Sequence, residues 1–214
     1  MHALRSLTAA LTAASLVLAP LAAAADPKDD PEAAKLLDRG SPRYNVAMPG
    51  ASIRAGGSMT LVNAPMAIVR KVVLDYAHYQ TFMPRFQKSR VVAKKDGKTD
   101  VYLQVPILHG AATVWALTRF EPPVKEGANG ERIEGKMVEG NVDDFRAVWH
   151  LRPVDETHTV LKAELLIVPK LPLPGSVVTP ELEFAADQAV VSARDRAEAK
   201  AGAQDAAAQN NATK

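Results

Sequence analysis

Five histidines, at positions 2, 78, 109, 150 and 158, are the side chains of this 214-residue chain best suited to metal or acid–base chemistry. A metal site needs ligands that converge, and two histidines four apart on a helix, with a glutamate between, are one sequence sign of it. No pair here has that spacing or a carboxylate at a metal-ligand interval. His78 falls on a short polar helix, and His150 and His158 fall on outward strand positions. His109, in a turn beside Gly110, is the best single candidate for an ionisable group at a pocket mouth. Asp143-Asp144 and Glu131 with Glu134 pair carboxylates on turns and strand edges, where a solvated rim is the ordinary reading. Ser58, Ser89 and Ser176 lack a Gly-x-Ser-x-Gly elbow. There is no Gly-x-Gly-x-x-Gly, no P-loop and no cysteine, which removes nucleotide signatures and thiolate chemistry. The expected catalytic residues, metal and cofactor are therefore none.

Composition narrows the partners. The formal charge is +2 and aromatic residues make up 5%, so neither electrostatics nor stacking points to nucleic acid. With 47% hydrophobic and 23% charged residues, the chain reads as an average globular protein of one domain. Residues 1–25 read as an address. Arg5 precedes an apolar run from Leu7 to Leu21, then Ala22–Ala25 and Asp26-Pro27 follow, the pattern of a cleavable signal peptide. The run is short for a membrane span, and no cysteine follows for lipidation. The expectation is an exported, soluble protein, periplasmic or secreted.

The elements that must position any site come next. Residues 26–57 read as a partly irregular lead-in, with a short helix at Pro31–Leu37 and at most one strand. Ser58–Asn63 suits a strand. Pro65 opens a helix with Ile68, Val69, Val72 and Tyr76 on one side, and a second turn at His78–Phe82 stops before Pro84. Period-two strands follow at 89–95, 99–108, 113–121, 131–139, 144–152 and 159–168. Their short breaks suit antiparallel hairpins and leave no room for parallel crossovers. Thr179-Pro180-Glu181 opens a helix running to about Ala201, with a disordered tail at 202–214. The order predicts an α+β fold: a seven-stranded antiparallel sheet, two short helices after its first strand, and one long helix to cover a face.

Three blocks carry a family resemblance. The first runs from Leu61-Val62-Asn63-Ala64-Pro65 through Val69, Val72-Val73-Leu74-Asp75-Tyr76, Tyr79, Phe82 and Pro84 to Ser89-Arg90-Val91. The second is Phe145, Trp149, Leu151, Pro153, Thr159, Leu161 and Pro169, and the third is Leu171-Pro172 to Leu182. Over about residues 58–200 the chain resembles the START-like helix-grip superfamily (SRPBCC), near its coenzyme Q-binding and polyketide cyclase/dehydrase branch. The resemblance implies a START-like ligand-binding domain at 58–201, a curved sheet wrapped around the C-terminal helix with an apolar cavity between. Members bind lipids, quinones, sterols, polyketides or hormones, and some are enzymes. No polar catalytic motif is present here to carry across.

Strand parity then nominates a lining. Leu103 and Val105, Met137, Phe145 and Trp149, and Leu161 and Leu165 fall on the inward set of their strands. The strand at 113–121 is ambiguous, with Trp115 and Leu117 preferred inward. The last helix contributes Leu182, Ala186, Ala189 and Val190 from a stripe that is mostly alanine. Small side chains allow either close packing or empty space; the resemblance favours space. The expected partner is an apolar small molecule, a lipid, isoprenoid or quinone-like compound, held by a carrier. The alternative is a cyclase, aromatase or dehydratase acting in the same cavity, which needs an inward acid or base. Arg119 is the one ionisable candidate in the central inward set. A third reading is an envelope interaction module with a filled core. The basic tip Lys94-Lys95 and Lys98 also allows transient contact with a membrane surface.

Overall fold

The structure, a computed structural model, describes residues 26–38, 40–107, 110 and 112–212. The signal segment expected at 1–25 and the mouth candidate His109 lie outside these residues.

After a 3-10 turn at Pro27–Asp29 and a one-turn helix α1 (Pro31–Ala34) come strands β1 (Arg43–Val46) and β2 (Ala55–Val62). Helix α2 (Met66–Val73), a 3-10 turn at Tyr76–His78 and α3 (Tyr79–Phe82) lead into the strand series. The strands are β3 (Lys88–Lys95), β4 (Lys98–Ile107), β5 (Ala112–Phe120), β6 (Val124–Glu126), β7 (Gly130–Gly140), β8 (Val142–Pro153) and β9 (Thr159–Pro169). Helix α4 (Gly175–Ala212) ends the chain. All pairings are antiparallel, in the order β1-β2-β9-β8-β7-β5-β4-β3, with β6 on β7. Local chemistry explains the joints. Asp96-Gly97 joins β3 to β4 with φ of +53° and +75°, the two-residue turn that matches strand twist. At the β7–β8 turn the Asn141 side chain accepts from Trp115 N–H (2.8 Å) and donates to Thr113 C=O (2.8 Å), tying the turn to β5.

One face of the sheet carries α4 and α2, and the main core lies there, with Val69, Val72, Ile133, Leu161, Val190 and Ala193 fully or almost fully buried. The lead-in covers part of the other face, where Ala33 and Leu36 pack on Leu61 and Val160. Ion pairs hold it down: Arg152 reaches Asp30 at 2.6 Å and Glu32 at 2.9 Å, and Lys162 reaches Glu32 at 2.5 Å.

The expected architecture is present, with four corrections. The sheet has nine strands rather than seven, because β1 forms an edge and three residues after Pro122-Pro123 add β6. The first long strand begins at Ala55, three residues before the predicted start, since Gly56 and Gly57 extend it rather than break it. The helix at the lead-in is shorter, Pro31–Ala34. Finally, α4 begins at Gly175 and continues to Ala212, past the predicted end at Ala201. Pro180 lies inside it as the sixth residue, past the first turn, so its missing N–H leaves Ser176 C=O without its i+4 donor, and the Thr179 hydroxyl donates to Arg54 C=O (3.0 Å) rather than capping. The alanine-rich stretch beyond Gly202 has high helix propensity and extends the helix.

Candidate functional site

Between the sheet and the first half of α4 lies a cavity of about 100 Å³. Its walls are almost wholly apolar. Leu103 and Val105 of β4, Phe145 and Trp149 of β8, and Leu165 of β9 form the sheet side. Leu182, Ala185, Ala186 and Ala189 form the helix side. Tyr79, Met83 and Phe86, from α3 and the segment after it, close one end with Leu173 and Val178.

The alanine stripe does two things. Along its second part Val190, Ala193 and Ala197 are completely buried against the core, so the helix sits close to the sheet there. Gly56 of β2 lets the helix come close near its start as well, because a Cβ at this position would lie 2.0 Å from the backbone N of Glu183. Between these two contacts Ala185, Ala186 and Ala189 line the cavity. Close packing and space are therefore both realised, on successive turns of one helix.

Eight of the thirteen nominated residues line this cavity: Leu103, Val105, Phe145, Trp149, Leu165, Leu182, Ala186 and Ala189. Leu161 and Val190 are fully buried core instead, beyond its end. Met137 packs at the core margin and borders a separate cleft with Arg132 and Asp144. Trp115 and Leu117 face away from α4, and this corrects the inward preference for them. Val114, Ala116, Thr118 and Phe120 are the buried set of β5, while Trp115 stacks on Tyr102 across the outer face at 6.0 Å. The two large residues of β5 misled the parity because a strand with small inward residues can place its bulk outside. Arg119 is also outside, paired with Asp100 at 2.7 and 2.8 Å. The residues missed were Tyr79, Met83, Phe86 and Phe120. Phe120 had a signal, the alternation of Val114, Ala116 and Thr118 before it.

The polar groups at the cavity are few. Arg85 and Glu181 border its mouth 4.0 Å apart, with the Arg85 guanidinium 4.6 Å above the Phe184 ring. Glu164 also borders it, but its carboxylate accepts from the Tyr44 hydroxyl (3.2 Å) and lies 3.8 Å from His150 Nε2. The Tyr79 hydroxyl donates to Val73 C=O, and burial pushes its pKa well up, so it holds its proton and is already committed. His150 is on the outer face, its Nδ1 2.7 Å from Glu126 Oε2. Among the described residues no cluster of three His, Asp or Glu side chains is arranged for a metal, and no helix is long and apolar enough to cross a membrane.

A curved antiparallel sheet gripping one long C-terminal helix over an apolar cavity defines a START-like helix-grip protein. The chain belongs to the family described as "Polyketide cyclase / dehydrase and lipid transport", which matches residues 62–191. Solved structures share this fold. A fragment of a STAR-related lipid transfer protein from Xanthomonas axonopodis is 15% identical over 74% of this chain and 93% of its own, with a TM-score of 0.62. Human StAR-related lipid transfer protein 5 is 9% identical over 74% of this chain and 82% of its own, with a TM-score of 0.63. The Zhui aromatase/cyclase from Streptomyces sp. R1128 is 16% identical over 75% of this chain and 94% of its own, with a TM-score of 0.50. No curated protein matches.

Proposed function

We propose that this protein is an exported binding or carrier protein for an apolar small molecule, a lipid, isoprenoid or quinone-like compound, held between the sheet and α4. The observation that supports it is the chemistry of the cavity. Its walls offer hydrocarbon and aromatic surface, its tyrosine is committed to the backbone, and its charges sit at the mouth. Burying apolar ligand surface there yields roughly 25 cal/mol per Å² removed from water. A general acid or base poised against a reacting atom is what the cyclase or dehydratase alternative needs, and the described inner walls offer none. The family and its structural neighbours include lipid transfer proteins and an aromatase/cyclase, so they support either reading.

A cavity of about 100 Å³ is small beside the roughly 300 Å³ and more of ordinary ligand sites, so uptake requires a wall to move. The movable parts are the α3 segment and the 171–175 connector, which supply Tyr79, Met83 and Leu173. Titration with the fluorescent apolar dye N-phenyl-1-naphthylamine tests the reading, together with native mass spectrometry of protein purified without detergent. Saturable dye uptake, displaced by lipid extract, is expected; a clean apo mass with no uptake from a lipid mixture would sink it. The same spectra test export: the mature chain should begin at Asp26, and an intact Met1 on protein from the exporting host would count against cleavage.

A further inference from the structure

Beside the apolar cavity lies a second pocket of about 260 Å³, under the β3–β4 hairpin tip, bordered by Tyr76, Thr99, Gly97 and Pro122. Phe120 lines both spaces. Its ring stacks on Tyr76 at 4.3 Å and 24°, so this pair of rings is the wall between them. Gly135 of β7 makes room for the Phe120 ring: a Cβ there would come within 2.6 Å of it.

The wall contains one hydroxyl that nothing satisfies, that of Tyr76, and a second, that of Thr118, lies on the strand that carries Phe120. Tyr76 is 4% exposed and Thr118 is 0% exposed, and neither Tyr76 Oη nor Thr118 Oγ1 has a hydrogen-bond partner. Thr118 lies two residues before Phe120 on the same face of β5. Buried polar groups are almost always paired, so an orphan hydroxyl on the ring stacked against Phe120, with a second on the same strand face, calls for an explanation. The acidic residues of the pocket are already engaged, Asp75 with His78 at 2.6 Å and Glu121 with Lys98 at 3.1 Å. Burial raises the Tyr76 pKa, which keeps the hydroxyl protonated and able to donate.

We propose that the two spaces are one ligand site divided by the Phe120 ring, and that it takes an apolar molecule ending in a neutral oxygen, a carbonyl or hydroxyl, hydrogen-bonded by Tyr76. The inference rests on the apolar-carrier reading above and specifies the ligand's polar end. Each space alone is smaller than an ordinary small-molecule site, while together they exceed the lower bound of one. Rotation of Phe120 joins them. The body of the ligand then lies among Leu103, Phe145 and Trp149, and its oxygen satisfies the hydroxyl that the protein leaves unpaired. Lys94 also borders the second pocket, so the neutral oxygen is assigned from the unpaired Tyr76 hydroxyl at the partition.

The test uses 2-undecanone labelled with carbon-13 at the carbonyl, added to the full mature chain, with naphthylamine dye displacement measured in parallel. On binding, the carbonyl resonance should move downfield, as hydrogen bonding requires, and show nuclear Overhauser contacts to the Tyr76 and Phe120 rings. Tyr76→Phe should abolish the downfield shift and weaken the ketone about tenfold, the size of one hydrogen bond. An unchanged shift and affinity in Tyr76→Phe would overturn the inference. Should that variant not fold, wild type decides alone: a bound ketone whose carbonyl shows no hydrogen-bond shift, or whose contacts miss both rings, overturns it. Dye and ketone uptake with the oxygen elsewhere sinks this inference and leaves the carrier reading standing. Absence of all uptake sinks both.

Discussion

Gly56 lies directly beneath Glu183: a Cβ on the strand residue would come 2.0 Å from the helix residue's backbone N and 2.2 Å from the carbonyl carbon of Leu182. Both obstacles are main chain, so no side-chain rotation relieves them. This contact sets how near α4 comes to β2 just before the cavity-lining Ala185, Ala186 and Ala189.

Gly56→Ala should therefore push α4 outward and cost at least about 2 kcal/mol, at the upper end of overpacking penalties. For a domain of this size that lowers Tm by about 4–8 °C. Differential scanning calorimetry checks it; a Tm within a degree of wild type would mean the helix is not seated on this residue. Gly202, an exposed helical position with open space around it, serves as a control that should lose nothing on mutation to alanine.

Ala189 borders the cavity and is only partly buried. Ala189→Leu adds three carbons where space exists, so dye affinity should fall tenfold or more while Tm stays level or rises. Trp149→Ala should do the opposite to stability, losing about 3–5 kcal/mol as expected for a buried aromatic truncation. Equal dye affinity in the leucine variant would place the dye elsewhere.

The lead-in should come loose in acid. The Arg152 guanidinium beside Asp30 lowers its carboxyl from 3.8 to about 2, with the N–H groups of Ala33 and Glu32 also helping. A depressed carboxyl contributes stability that is complete above its unfolded pKa. That stability is lost as pH falls from about 4 to about 2. The Asp30 side chain is partly exposed, at 23%, so screening keeps the contribution modest. Hydrogen exchange at Ala33 and Ala34, corrected for intrinsic rate, should quicken across that window. Arg152→Ala should show the quick exchange already at neutral pH.

His150 works in the opposite direction. Burial alone would lower its pKa, but the carboxylates of Glu164 and Glu126 outweigh burial and raise it above 6.5. A raised histidine contributes stability that is complete below the unfolded value and is lost as pH rises through the folded one. Tm should fall over that rise in wild type and fall less in His150→Gln. An NMR titration of the His150 ring with a midpoint below 6.5 would contradict the arrangement.

Much of this protein was legible before folding was considered. Short turns such as Asp96-Gly97 and Gly140-Asn141 cannot carry a parallel crossover, so the antiparallel series from Lys88 to Pro169 follows from local chemistry. Phe145, Trp149 and Leu151 alternate with polar neighbours, and the period of two places them on the covered face. Other features depend on contacts between distant residues. The inward set of β5 was decided by Phe120 packing on Gly135 and Tyr76, while Trp115 found Tyr102 outside; parity alone treats the two sides alike. The alanines of α4 read the same from Ala185 to Ala197. Whether a given alanine meets the sheet or faces a cavity depends on how α4 seats on strands distant in sequence, the Gly56 contact some 130 residues earlier among them, which no local pattern on the helix contains. The sequence by itself determined seven of the nine strands, the antiparallel pairing across their short turns and the apolar character of the gripped helix, because these follow from side-chain period and turn geometry. Tertiary structure alone decided the depth of the cavity, its ring-stacked wall and the clamp on the lead-in, because each is set by how closely separate segments approach.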